Sequence, residues 1–103
     1  MLDRAEFVSQ LVADRSVADL TSDRFLRSAV ERELMVLGEA LYQLHRIDPQ
    51  MAERINRWDD IIGFRHVLVH GYDVIDMQIV WDVVTYDLPP LIQQIKPLLS
   101  EEK

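Results

Sequence analysis

One short segment of the chain concentrates side chains that could carry out chemistry. In Gly63-Phe64-Arg65-His66-Val67-Leu68-Val69-His70-Gly71-Tyr72-Asp73, an arginine, two histidines and a tyrosine lie among apolar residues. Arg65 is permanently cationic and presents a planar fork of donors that suits a phosphate group. His70 can accept or donate a proton near neutral pH. Together they could cleave RNA without a metal, His70 acting on the 2′-hydroxyl and Arg65 on the phosphate.

The spacing of these two residues leaves a second interpretation open. On a regular helix, a separation of five residues corresponds to ~7.5 Å of rise and ~140° of rotation, so Arg65 and His70 do not share one face. Both can still line one cleft if His70 occupies the last, fraying turn of the helix. Alternatively, Arg65 makes a surface ion pair and His70 caps the C-terminal end of the helix, where a cation is favourable.

The neighbouring His66 and Tyr72 also have two interpretations each. His66 and His70 are four residues apart, which is the spacing of half a zinc site. No glutamate follows His66, and the only other histidine is His45, so we predict no metal ion. Tyr72 follows the expected end of the helix, where its ring could simply pack on the fold with the hydroxyl in water.

Charged residues of the preceding long helix could support this segment. Glu39 follows Gly38 within the apolar stripe of that helix, and it either faces solvent or acts as a buried orienting carboxylate. A glycine costs ~1 kcal/mol relative to alanine in a helix, so Gly38 predicts a close approach of another helix. Arg27 and Arg32 are candidates for RNA contact, although a solvated charged face is the simpler interpretation of these arginines.

Composition limits the class of protein. The 103 residues are 49% hydrophobic, contain no cysteine and carry a net charge of -7. We interpret residues 1–103 as one domain, without a membrane span or a signal peptide, and expect a cytoplasmic protein. The negative charge argues against general nucleic-acid binding, because a polyanion would be repelled. RNA chemistry would therefore be confined to a local site, and the charge is compatible with a separate partner protein.

Apolar residues recur at intervals of three and four, which indicates an all-α fold. The predicted apolar positions, helix by helix, are Phe7, Leu11 and Val12; Leu26, Ala29, Val30, Leu34, Leu37, Leu41 and Leu44; Ile79, Val80, Val83 and Val84; and Leu91, Ile92, Ile95, Leu98 and Leu99. A short connector from Gln50 to Arg57 is expected after the long helix. We expect a compact up-and-down bundle of four to five helices. The predicted helical segments are about Asp3 to Ala13, a turn at Ser16 to Leu20, a long helix from the Thr21-Ser22-Asp23 cap to Ile47, a third from Trp58 to about His70 with Gly71 as its cap, a fourth from Asp76 to about Asp87, and a last from Leu91 to Leu99 after a bend at Pro89-Pro90.

The Arg65-x4-His70-x-Tyr72 pattern resembles the HEPN superfamily and, within it, the HepT-like toxins. Ala29-Val30-Glu31-Arg32 and Leu37-Gly38-Glu39-Ala40 are similar to that family's second-helix signature. Residues 79–84 and 87–91 are similar to its C-terminal helices. The resemblance covers about Asp23 to Leu99, and the stretch ahead of it is shorter than the first helix that many members carry.

The resemblance implies a homodimer in which two R-x4-H segments form a composite cleft. It also implies a metal-independent endoribonuclease, the toxin of a type VII toxin–antitoxin pair. His70 would be the general base or acid and Arg65 would hold the scissile phosphate. His66 occupies a position that favours a polar residue, often Asn, and joins the candidate catalytic residues. Tyr72 would accept AMP from a minimal nucleotidyltransferase antitoxin, which silences the toxin.

The expected substrate is RNA, either tRNA or mRNA, with no cofactor and no binding to DNA or membranes. A second hypothesis is a non-catalytic HEPN subunit that binds nucleotides or serves as a scaffold for a minimal nucleotidyltransferase. A third is a purely structural dimerisation module. The intact Arg65 and His70 favour the ribonuclease, whereas the net charge of -7 leans toward the non-catalytic subunit.

Overall fold

The structure is a computed structural model that describes residues 2–69 and 76–101, with side chains described up to residue 97. Every regular element in this part of the chain is helical, which confirms the predicted all-α class. The elements are α1 (Leu2–Val12), α2 (Val17–Ser22), α3 (Arg24–Ile47), α4 (Pro49–Ala52), α5 (Trp58–Val69), α6 (Met77–Asp82), a π-helical turn (Val83–Asp87) and α7 (Leu88–Glu101).

Polar side chains at the N-termini of the helices determine where several of them begin. Ser16 and Asp19 form a reciprocal capping box at the start of α2. Asp23 accepts hydrogen bonds from two backbone N–H groups in the first turn of α3, as the sequence predicted. Asp48 and Asp76 cap α4 and α6 in the same way. Each cap satisfies donors that have no partner within the helix, and this stabilises the helix start.

The path near the two consecutive prolines differs from the prediction. A last helix beginning after Pro90 was expected, but Pro89 and Pro90 lie in the first turn of α7, directly after the π-helical turn. There the backbone N–H of Leu88 donates to the carbonyl of Val83. This wider i to i+5 pattern precedes the prolines, whose missing N–H groups are tolerated in a first turn. Helical structure therefore runs from α6 into α7 without a break.

The core is built around α3, which packs against α1, α2, α4 and α5. The predicted apolar stripe of α3 is confirmed at its centre, while two other predicted core residues are exposed: Phe7 is 45% and Ile79 is 53% accessible. Ala5 and Val8 are buried on α1, so its buried face is rotated from the predicted one. In the fourth predicted helix, Val80 and Val84 are buried as predicted. The buried hydrophobic residues of α3 and of the described C-terminal helices are Leu26, Val30, Leu34, Leu37, Leu41, Val80, Val84, Leu88, Leu91 and Ile95.

The connector expected between α3 and α5 contains the short helix α4, because Asp48 caps it and Pro49 occupies its first position. Gly71, predicted as a helix cap, lies outside the described residues. Leu98 and Leu99, predicted as core residues, lie outside the described side chains. Among the helices that the structure describes, none is long and apolar enough to cross a membrane.

Gly38 marks the closest approach of α3 and α5. A Cβ atom added to Gly38 would overlap the Cβ of Arg65 and would lie 3.1 Å from the Arg65 Cγ and 3.3 Å from the carbonyl oxygen of Ile61. Such separations leave no room for a methyl group without displacement of α5. The close helix approach predicted from this glycine is confirmed, and its partner is the arginine of the R-x4-H segment.

We predict that Gly38→Ala destabilises the protein by about 1–3 kcal/mol, the usual cost of overpacking. The matched control is Gly63→Ala on α5, because nothing lies within 4 Å of a Cβ added there. Alanine at that position should leave stability unchanged or raise it by up to ~1 kcal/mol. Urea unfolding of the parent and both variants measures the difference. A Gly38→Ala protein as stable as the parent would contradict the close packing of Arg65 on α3.

Candidate active site

Arg65 lies at the α3–α5 interface with its side chain largely enclosed and only 18% exposed. Its stem packs on Gly38, and its Nη2 forms an ion pair with Oε2 of Glu39. Nη1 lies 3.2 Å from Nδ1 of His66, and Cζ lies 5.3 Å from the centre of the Tyr42 ring. The buried Nε has no hydrogen-bond partner among the described residues. The guanidinium is therefore held from three sides.

Glu39 orients Arg65 from a half-exposed position. Its side chain is 41% exposed, so it is neither purely solvent-facing nor fully buried, the two alternatives left open by the sequence. Oε1 accepts a hydrogen bond of 3.0 Å from Nε2 of Gln43. This hydrogen bond, followed by the charge of Arg65, lowers the pKa of Glu39, against the opposing effect of desolvation. The carboxylate thus stays ionised opposite the arginine.

Tyr42 completes the group, although its role was not predicted from the sequence. Its ring meets the His66 ring edge-on, with centroids 6.3 Å apart and planes at 77°. The same ring lies beneath the Arg65 guanidinium in a cation–π arrangement. The signal available in the sequence was spacing, because Tyr42 follows Glu39 by three residues and shares its face of α3. We call Glu39, Tyr42, Arg65 and His66 the Arg65 cluster.

The two candidate arginines of α3 lie apart from the Arg65 cluster. Arg27 precedes Glu39 by twelve residues, a rise of ~18 Å, and its Nη1 donates to the carbonyl of Thr21 at 3.2 Å. Arg32 is closer and lines a shallow cavity of about 200 Å³ together with Glu31 and Leu68. The structure therefore brings Glu39 to Arg65 but leaves Arg27 and Arg32 along the flank of α3.

His70 and Tyr72 lie outside the described residues, so their predicted roles stay predictions. The last described residue of α5 is Val69, one position before His70. Leu68, in the final turn of α5, borders the cavity that Arg32 also lines. The described part of the R-x4-H segment therefore runs from the Arg65 cluster toward the N-terminal half of α3.

A second aromatic contact joins the other end of α5 to α3. The rings of His45 and Trp58 stack with centroids 4.5 Å apart and planes at 12°. Nε2 of His45 lies 3.1 Å from Oε2 of Glu53. Trp58 precedes Arg65 by seven residues, two helical turns, so it faces the same side of α5. The stack and the Gly38 contact fix the two helices to each other at two levels.

The all-α fold and the R-x4-H sequence pattern are both features expected of a HEPN-type protein. The sequence profile described as "Ribonuclease HepT-like" matches residues 1–98. The chain therefore belongs to the HepT-like family of the HEPN superfamily.

Curated relatives agree with this assignment. A "Putative RNase" of Caldanaerobacter subterraneus subsp. tengcongensis is 30% identical over 103 residues, which are 100% of this chain and 91% of that protein. A "Probable ribonuclease HepT" of Thermococcus cleftensis is 26% identical over 84% of this chain and 77% of that protein. A "Gamma-glutamylcyclotransferase and putative RNase" of Methanocaldococcus jannaschii is 27% identical over 98% of this chain, which spans only 45% of that longer protein. No solved structure gives a significant match.

We predict that two glutamates of α3 affect the pH dependence of stability in opposite ways. The pKa of Glu39 lies below its ordinary value of 4.5, so its carboxylate stabilises the fold above that pH and this contribution is lost as the pH falls through the lowered pKa. Burial raises the pKa of Glu31, against the charge of Arg27, so its ionisation destabilises the fold as the pH rises through the raised pKa.

Urea unfolding from acid to neutral pH tests this pair of substitutions. Glu39→Gln should be less stable than the parent at neutral pH, and Glu31→Gln should be more stable. Both differences should vanish in acid, where the carboxyl groups of the parent are protonated. Differences of the same sign for the two variants at neutral pH would contradict the assignment.

Proposed function

We propose that this chain is an endoribonuclease that acts without a metal ion, with Arg65 holding the scissile phosphate and His70 acting as general base or acid. The observation that carries the proposal is the fixed position of Arg65. Its stem is packed on Gly38, and Glu39 orients its guanidinium at the start of the R-x4-H pattern. Membership of the HepT-like family and the similarity to relatives named as ribonucleases support ribonuclease activity.

The proposed reaction uses the 2′-hydroxyl of the substrate as its nucleophile. His70 takes the hydroxyl proton while the oxygen attacks the adjacent phosphorus, and the bond from phosphorus to the 5′-oxygen breaks. The 5′-oxygen leaves with a proton taken from water, which gives a 2′,3′-cyclic phosphate and a 5′-hydroxyl end, and His70 then releases its proton to water. Arg65 stabilises the negative charge that builds on the phosphoryl oxygens. Because the nucleophile belongs to the RNA, the reaction needs no metal-bound water.

The proposed active form is a homodimer in which two R-x4-H segments share one cleft. The outward side of α5 supports this arrangement, because Gly63 and His66 are exposed there and Val67 is 37% accessible. A second copy against this face would bring two arginines and their histidines together. Such a cleft would be locally cationic in a protein whose net charge is -7.

The proposed physiological role is that of a toxin paired with a minimal nucleotidyltransferase antitoxin. The antitoxin would transfer AMP from ATP to the hydroxyl of Tyr72, seven residues after Arg65, with release of pyrophosphate. The added phosphate would compete with RNA for the arginines. It would also place a bulky base at the mouth of the cleft. The protein would act in the cytoplasm, where tRNA and mRNA are available.

One observation favours the alternative of a non-catalytic subunit that binds nucleotides or supports a nucleotidyltransferase. Glu39 already compensates the charge of Arg65 in the described structure. A phosphate must therefore share the guanidinium with this carboxylate or displace it. An Arg65 that served only to hold α5 on α3 would make the same contact, and measurement of RNA cleavage separates the two functions.

The first test is cleavage of tRNA and mRNA in EDTA by the parent, Arg65→Ala and His70→Ala. We expect cleavage by the parent and a loss of about 100-fold or more in each variant, the range for positioned acid–base or electrostatic groups. Arg15→Ala, an exposed position between α1 and α2, is the matched control for loss of a cation. An unmodified, folded parent that leaves both RNAs intact would favour the non-catalytic subunit.

The second test concerns modification by a minimal nucleotidyltransferase in the presence of ATP. We expect intact mass to show the addition of AMP to the parent and to Tyr86→Phe, but not to Tyr72→Phe. Tyr86 is a suitable control because its side chain is 69% exposed and thus an accessible competing tyrosine. Modification of Tyr72→Phe to the same extent as the parent would exclude Tyr72 as the acceptor.

A further inference from the structure

The contact between Arg65 and His66 restricts the chemical state of the histidine. Nη1 of Arg65 lies 3.2 Å from Nδ1 of His66, within hydrogen-bond distance. A guanidinium has five N–H donors and no acceptor, and it does not lose its proton in proteins. Nδ1 must therefore be the acceptor in this hydrogen bond. A neutral imidazole with a bare Nδ1 carries its proton on Nε2.

We propose that His66 acts as a neutral hydrogen-bond donor to a phosphoryl oxygen of RNA through its Nε2–H group, and not as an acid or a base. This inference rests on the proposed ribonuclease function. A base needs a bare nitrogen directed at the 2′-hydroxyl, but the bare nitrogen of His66 is directed at Arg65. An acid needs a doubly protonated ring. Such a ring would direct an N–H group and a positive charge at the guanidinium of Arg65, which is itself a cation and a donor.

Neighbours of His66 within the Arg65 cluster favour this tautomer. Arg65 contacts Nδ1 directly, so the ring proton lies on Nε2. Glu39 holds the Arg65 guanidinium through its ion pair and thereby fixes the direction of that contact. Tyr42 meets the imidazole edge-on at 6.3 Å between centroids. The hydrogen bond from Arg65 is the geometric basis of the tautomer assignment.

In this arrangement, the adjacent residues Arg65 and His66 have different roles toward the phosphate. Arg65 supplies the charge, and His66 supplies a second donor whose direction depends on Arg65. Proton transfer is left to His70 in the proposed reaction. An asparagine could reproduce both contacts of His66, because its amide oxygen accepts from the guanidinium and its NH2 group donates. Alanine would reproduce neither. This difference gives the inference a chemical test.

The first measurement is the tautomer of His66 by long-range 1H–15N correlation spectra of the folded, RNA-free protein at neutral pH. The chain has three histidines, and the spectrum of His66→Asn identifies the signals of His66 by their loss. We expect the Nε2–H tautomer in the parent and a mixture of tautomers in Arg65→Met, which lacks the donor. An Nδ1–H tautomer or a cationic ring in the parent would overturn the inference.

The second measurement is the pH profile of RNA cleavage by His66→Asn and His66→Ala. Asparagine should reduce kcat by less than about tenfold and keep both limbs of the parental profile. Alanine should reduce it by about 100-fold, the cost of one lost donor to a phosphoryl group. Loss of one limb in His66→Asn, or a defect as large as that of His70→Ala, would assign proton transfer to His66 and overturn the inference.

The two measurements separate the failure of this inference from the failure of the proposed function. If the parent cleaves no RNA, the ribonuclease function and the role of His66 toward RNA are both overturned, whatever the tautomer is. If the parent cleaves RNA but His66 carries its proton on Nδ1, only the inference about His66 fails. Circular dichroism and urea unfolding of each variant confirm that a loss of activity does not reflect unfolding.

Discussion

The contact of Gly38 with Arg65 is the constraint on which the rest of the candidate site depends. The absence of a side chain at one position of α3 lets α5 approach until the Arg65 stem lies against backbone. A stem held in this way leaves only the outer torsions of the arginine free, so a few contacts suffice to orient its head. Glu39 follows the glycine directly and supplies one of these contacts. Close packing of two helices therefore produces a positioned cation.

Electrostatics explains how an acidic protein can keep such a cation ready for an anionic ligand. Arg65 is paired with one carboxylate whose other oxygen is hydrogen-bonded to Gln43. This pairing offsets the cost of enclosing a charge in a partly desolvated position. In the proposed reaction, a phosphate would therefore share the guanidinium with Glu39 or displace it. Glu39 is half exposed, so a displaced carboxylate could turn to water.

Periodicity and capping chemistry were sufficient to predict much of the fold. The apolar stripe of α3 and the cap at Asp23 were both found, because each is a local pattern with a direct physical cause. The exposure of Phe7 and Ile79 was not predicted. The sequence indicates that a helix has an apolar face, but it does not indicate how that face is rotated toward the neighbouring helices. The π-helical turn before Pro89 depends on hydrogen bonds that span five residues and leave little trace in composition.

The candidate site likewise combines features that the sequence predicted with features that it did not. Arg65 was identified from residue types, and its proximity to Gly38 and Glu39 was only suggested by a glycine in a helix. Tyr42 was missed because a tyrosine within an apolar periodicity is usually a core residue, and only the register of α3 against α5 places its ring beneath the guanidinium. The pairing of Arg65 Nη1 with His66 Nδ1 depends on side-chain torsions that the sequence does not specify.

The contacts that Arg65 already makes also explain why the proposed reaction favours two copies of the chain. Nη2 of Arg65 faces Glu39, Nη1 faces His66, and Nε is buried. A phosphorane carries more negative charge than the phosphate from which it forms, and one compensated arginine stabilises that increase only after it gives up its carboxylate. A cleft shared by two copies would supply a second arginine. One arginine could then keep its contact with Glu39 while the other exchanges it for the phosphate, so the ion pair between α3 and α5 would persist in one copy throughout the reaction.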